Sequence, residues 1–212
     1  MTYLGDVAAL ARKDLLLELR SRDTLPAMLL FVLSTLVVFH FALPVDTSET
    51  AETGLLWVAL LFTALLGLVR AFVAEREQRV LDGLVLAPCD RSAIWLGKAI
   101  GVGAFLVAAE VVALPAFALF FGPVGWELIA AVALADVGLA AVGTLLAAMA
   151  AASRARELLL PLLFLPLVIP VVVGGVGASV APSPGRYLAF LGLYDAVFAI
   201  LSWASFEYVV TE

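Results

Sequence analysis

Three carboxylates stand inside long apolar runs: Glu110 in GVGAFLVAAEVVALPAFALFF, Asp136 in AAVALADVGLAAVGTLLAAMA and Asp195 in LAFLGLYDAVFAIL. Ionised carboxylates are expensive to place in hydrocarbon, so each is a candidate intramembrane polar site. The structural alternative has Glu110 and Asp136 protonated or hydrogen-bonded between helices, and Asp195 near a helix end. No basic residue lies deep in these runs to pair with them. His40 is the sole histidine, and Cys89 the sole cysteine. Cys89 adjoins Asp90, which does not favour a thiolate. One cysteine excludes an internal disulfide and any multi-cysteine metal site. The pattern G-x-x-x-x-G-K-[ST] is absent, so the chain has no route to ATP through that motif. With its one histidine inside an apolar run, it has no Ser-His-Asp set either. No catalytic residue and no metal site are expected.

The polar chemistry concentrates instead between Phe72 and Lys98, FVAEREQRVLDGLVLAPCDRSAIWLGK. Glu75 and Arg79 are four apart with the acid first, the favourable order for a helical ion pair. Val73, Val80 and Leu84 keep one face apolar. Gly83 is a candidate helix stop, Pro88 breaks the segment, and Asp90 or Ser92 can cap the next helix. Trp95 and Lys98 read as an interface anchor and a snorkelling cation.

The elements around this loop are set by composition. Of 212 residues, 64% are hydrophobic and 14% charged, where a soluble domain carries nearer a quarter charged. The expected class is an all-α integral membrane protein, because only helices satisfy the backbone of such long apolar runs. Residues 2–23 form an amphipathic interface helix, with a stripe of Leu4, Val7, Ala8, Ala11, Leu15, Leu16 and Leu19. Asp6, Lys13, Asp14 and Arg20 lie off that stripe. Six transmembrane spans follow: about 25–43, 54–72, 99–121, 126–152, an irregular fifth span interrupted by Pro161, Pro166 and Pro170, and a sixth from Leu188 or Leu193 to Val210. Residues 174–187, GGVGASVAPSPGRY, read as an outer re-entrant or loop segment. The whole chain, 1–212, is one transmembrane domain, with residues 73–92 as its central loop.

Basic residues orient it. Arg12, Lys13, Arg20 and Arg22 precede the first span, and Arg70, Arg76, Arg79, Arg91 and Lys98 flank or fill the central loop. Arg154 and Arg156 lie between spans four and five, and only Arg186 falls on the other side. By the positive-inside rule both termini and the central loop are cytoplasmic. The expected location is the inner (cytoplasmic) membrane. A net charge of -6 gives no reason to expect nucleic acid as a partner.

The run E-R-E-x-x-x-L-D-G-L-x-L-A-P-x-D-R-S-A-I-x-L-G-K resembles the first cytoplasmic loop of ABC-2-type transporter permeases, and most closely the heme exporter protein B (CcmB) family. ARKDLLLELRSRD near the start and DAVFAILSWASFEYVV near the end are similar to CcmB sequences as well. Where many permeases carry Gly-Thr before the Leu, this chain has Arg79-Val80. The resemblance implies an ABC-2-type exporter permease fold and an ATPase-coupling site at Glu75, Arg76, Glu77, Arg79, Leu81, Asp82, Gly83, Leu84 and Pro88. It implies a membrane permease subunit for heme export, or for release of heme from its carrier, in cytochrome c-type biogenesis. Expected partners are a CcmA-like ABC ATPase, CcmC-like and CcmD-like membrane subunits, a CcmE-like heme chaperone and a second copy of the chain. No cofactor is expected on the chain itself: ATP would act through the partner, and heme would be cargo of the complex. His40 is the one candidate heme ligand, at the far end of the first span. The alternatives are an ABC-2 permease for a drug, lipid or polysaccharide, and a membrane assembly factor without an ATPase.

Overall fold

The computed structural model describes residues 3–21, 23–71, 90–152 and 156–211, and among them all regular structure is helical. Seven helices follow in order: α1 Tyr3–Ser21, α2 Thr24–Ala42, α3 Glu49–Ala71, α4 Arg91–Phe121, α5 Trp126–Ala152, α6 Arg156–Val180 and α7 Gly185–Thr211. The last six are each long and apolar enough to cross a membrane. Leu30, Phe41, Val111, Leu119, Leu158, Leu193 and Ile200 stand exposed on the outside of the bundle. A surface of that composition is matched to lipid, not to water.

Three tight connections close one end of the bundle, called here the hairpin end. Between α2 and α3, Thr47 donates both its N–H and its hydroxyl to Pro44 O, at 3.1 and 2.7 Å. Ser48 then accepts from Ala51 N–H at the head of α3. Between α4 and α5 the chain turns through Gly122 at φ 125°, where a side chain would be strained. Between α6 and α7 only residues 181–184 lie outside the helices.

The core sits around α5, which touches α3, α4, α6 and α7. Its Ala131, Ala135, Ala140, Ala147 and Ala150 are buried, and small residues let neighbouring backbones approach closely. Leu68 of α3 fills the space a side chain at Gly143 would need. The α2 helix contributes a single stripe, Met28, Val32 and Leu36, all fully buried at a spacing of four.

The helix of the third span begins at Arg91 behind its Asp90 cap, ahead of the apolar span expected from about residue 99, and its first turns are covered by α1 and α7. One segment differs from the sequence expectation. The stretch 174–187 is not an irregular or re-entrant segment: α6 continues as helix to Val180, and α7 begins at Gly185. The glycines there serve packing. Gly174 lies against Phe190 and Leu191, Gly175 against the Trp57 indole, and Gly177 against the Tyr187 ring. Pro161, Pro166 and Pro170 all lie within the continuous α6. Tyr194 donates its hydroxyl to Leu167 O at 2.9 Å, beside two of these prolines.

Candidate functional site

The central loop re-enters the bundle at the N-terminus of α4, and that terminus is tied down on several sides. Asp90 is the N-cap, accepting from Ser92 N–H at 3.0 Å. Arg91 meets Glu207 of α7 at 3.4 Å, an exposed pair worth about 0–1 kcal/mol. Ser92 Oγ lies 3.3 Å from the Tyr3 hydroxyl of α1.

Two turns further along, α1 packs directly onto α4. Glycines 97 and 101 leave a shallow groove, and a Cβ at Gly97 would come within 2.7 Å of Leu10 Cβ. A Cβ at Gly101 would sit 3.5 Å from Asp14 Cβ, an ordinary contact. Val7 and Ala11 are buried here. Between the glycines, Lys98 is only 5% exposed, and its Nζ lies 3.7 Å from Asp14 Oδ2. Lys13 Nζ holds the other Asp14 oxygen at 3.0 Å.

This corrects three readings. Lys98 does not snorkel to the interface but is buried against Asp14. Asp14 lies on the packed face of α1 and not off it, while Leu4 and Leu16 of the expected stripe are exposed. Trp95 is not an interface anchor: it is buried with Ile94, Ala141 and Phe206 in a small cluster of its own. Gly97 and Gly101 let α1 approach α4 closely, with Leu10 seated at Gly97 and Asp14 at Gly101, so α1 turns Val7, Leu10, Ala11 and Asp14 inward and covers Lys98.

The proposed coupling residues Glu75, Arg76, Glu77, Arg79, Leu81, Asp82, Gly83, Leu84 and Pro88 lie outside the described residues, and so does Cys89. His40 lies in the last turn of α2, exposed, with ring centroids 5.1 Å from Phe120, 5.3 Å from Phe41 and 5.8 Å from Phe121.

The three intramembrane carboxylates share one level. Glu110 lies eleven residues from the end of α4, Asp136 ten residues into α5 and Asp195 ten residues into α7. At a rise of about 1.5 Å per residue, each is roughly 15–17 Å from the hairpin end, half the thickness of a hydrocarbon core of about 30 Å. Asp195 is therefore mid-helix, not near an end as the sequence suggested. Asp136 and Asp195 are each 6% exposed. Neither oxygen of either group has a hydrogen-bond partner among the described residues. Glu110 and Asp136 face each other where α4 packs on α5. Asp195 lies on the other side of α5, its Oδ1 2.5 Å from where a Cβ at Gly138 would be. The Glu110–Asp136 meeting had a sequence signal: the two residues are nearly equidistant from the turn at residues 122–125.

Six helices long and apolar enough to cross a membrane, with a packed N-terminal helix, make an all-helical integral membrane protein of the kind a permease subunit is. The CcmB protein family model matches residues 6–206, and the chain belongs to that family. Three curated relatives carry the name heme exporter protein B. The one from Pseudomonas aeruginosa is 32% identical over 192 residues, covering 84% of each chain. The Rhodobacter capsulatus protein is 31% identical over 172 residues, 79% of each chain. That of Paracoccus denitrificans is 33% identical over 194 residues, 86% of this chain and 88% of its own.

Proposed function

We propose that this chain is the permease subunit of an ABC-type complex that exports heme for c-type cytochrome biogenesis. The supporting observation is the match to heme exporter protein B along nearly the whole chain, from the interface helix to the last span. In this reading both termini and the central loop face the cytoplasm, and the protein sits in the inner membrane. The loop carries Glu75, Arg76, Arg79 and Asp82 to a CcmA-like ATPase. Force delivered there enters the bundle at Asp90 and Arg91, where α1 and α7 already hold α4. A second copy of the chain, CcmC-like and CcmD-like subunits and a CcmE-like chaperone complete the assembly. This chain contributes neither the nucleotide site nor a resident cofactor, and heme is the cargo of the complex.

The experiment reverses two charges, Arg76→Glu with Arg79→Glu. Insertion into the membrane is expected to be unchanged, since the loop remains polar. Co-purification of the ATPase subunit and its membrane-bound ATP hydrolysis are expected to fall severalfold. Unchanged association in the double reversal would overturn the assignment of this loop as the ATPase contact.

A further inference from the structure

Glu110 and Asp136 meet in the middle of the membrane, with no cation beside them among the described residues. Lys98, the nearest lysine or arginine along α4, lies twelve residues away, about 18 Å at the helical rise, and it faces Asp14. Among the described residues the packed neighbours offer no basic group at this level. The α1 helix brings Asp14 and Lys13 to the far part of α4. The α2 helix has only His40, at the hairpin end, and α3 has Glu49 and Glu52 there and Arg70 at its opposite end. The charges of α6, Arg156 and Glu157, lie in its first turn. On α7, Asp195 and Tyr194 are at the level of the pair, while Arg186 and Glu207 are near the ends. Asp195 does not join the pair. It packs at Gly138, and two residues of helix turn the chain about 200° from Asp136.

Two ionised carboxylates in this position would be like charges in a low-dielectric environment with nothing to offset them, which no membrane interior tolerates. They are also both acceptors, and two acceptors cannot hydrogen-bond. That is the state of Asp136: 6% exposed, aimed at Glu110, with both oxygens unpartnered among the described residues. A proton between the two groups supplies the missing donor. Among the described residues no group of three or more His, Cys, Asp or Glu comes together here.

We propose that Glu110 and Asp136 form a proton-binding site at the membrane midplane, holding one proton in a carboxylic acid–carboxylate hydrogen bond that ties α4 to α5. The proposal is independent of the cargo and of the ATPase. Its consequence for motion is direct: α4 and α5 can part at this level only if the proton stays with one carboxyl or leaves the pair.

The test is infrared difference spectroscopy on the purified full-length protein in lipid nanodiscs, following the carbonyl stretch of protonated carboxyl groups and its shift in heavy water. Asp195→Asn removes the third buried carboxyl from the signal. Expected is a protonated-carboxyl band at neutral pH that survives in Asp195→Asn and disappears when Glu110→Gln, whose amide can donate to Asp136 in place of the acid, is added to Asp195→Asn. The absence of that band at neutral pH in Asp195→Asn would overturn the proposal, and this arm leaves the pair itself intact. So would a band that persists in the Asp195→Asn, Glu110→Gln, Asp136→Asn triple variant.

Discussion

Removing the charge of Asp14 is expected to cost more than removing that of its partner. At 3.7 Å the Asp14–Lys98 attraction is about 4 kcal/mol at an effective dielectric constant near 20, before desolvation is counted. In Asp14→Asn the Lys98 ammonium, 5% exposed, keeps its burial and loses the Asp14 charge. Breaking a buried pair from one side costs about 3–5 kcal/mol. Asp14 retains 17% exposure, so the pair is partly hydrated and the expected loss is about 2–3 kcal/mol. For a chain of this size that is a fall in Tm of about 4–12 °C. In Lys98→Met the stranded group is Asp14, which keeps water and the Lys13 contact at 3.0 Å, so the expected loss is about 1 kcal/mol. The double variant, with both charges gone, is expected to recover most of the Asp14→Asn loss, giving a coupling energy of about 2–3 kcal/mol. The assay is thermal unfolding in detergent followed by tryptophan fluorescence, since Trp95 is buried three residues from Lys98. Equal Tm values for the two single variants, or a double variant no better than Asp14→Asn, would refute the pairing.

Further outcomes follow from the same packing. Gly97→Val should dislodge α1 and expose it to protease, because its Cβ would lie 2.7 Å from Leu10 Cβ, whereas Gly101→Ala, with 3.5 Å available, should leave α1 protected; equal cleavage of the two variants contradicts the groove. Tyr194→Phe removes the hydroxyl donated to Leu167 O and should lower stability by about 1 kcal/mol, read as thermal unfolding, with no change in membrane insertion.

The six spans were legible in the sequence because apolar runs of 19 residues or more admit few other structures. The Asp90 cap was legible too, since it needs only local residues. Packing partners were harder to read. The stripe drawn from Leu4 to Leu19 follows hydrophobicity, yet α1 is oriented by the width of a groove that Gly97 and Gly101 make 80 and more residues later. Lys98 looked like a snorkelling cation because nothing in its own segment announces Asp14. The glycines from Gly174 to Gly177 looked like a broken helix, since sequence cannot show that Trp57, Tyr187 and Leu191 occupy the space they leave. Glu110, Asp136 and Asp195 were each identifiable as carboxylates in apolar runs. Their common depth depends on where each helix starts, and the true start of α7 at Gly185 is what moves Asp195 to the middle.

The length of α4 has a mechanical side. Its 31 residues make a rod about 46 Å long, some 16 Å more than the hydrocarbon it crosses. Tilting that rod by about 5° around its centre would carry each tip roughly 2 Å in opposite directions. Nearly all of the excess length can act as an outboard lever arm at the Arg91 tip, where Tyr3, Asp14 and Glu207 grip it. A small push on that arm need not be relayed from residue to residue, because the helix carries it as one piece as far as Pro115, where a missing backbone donor allows it to bend.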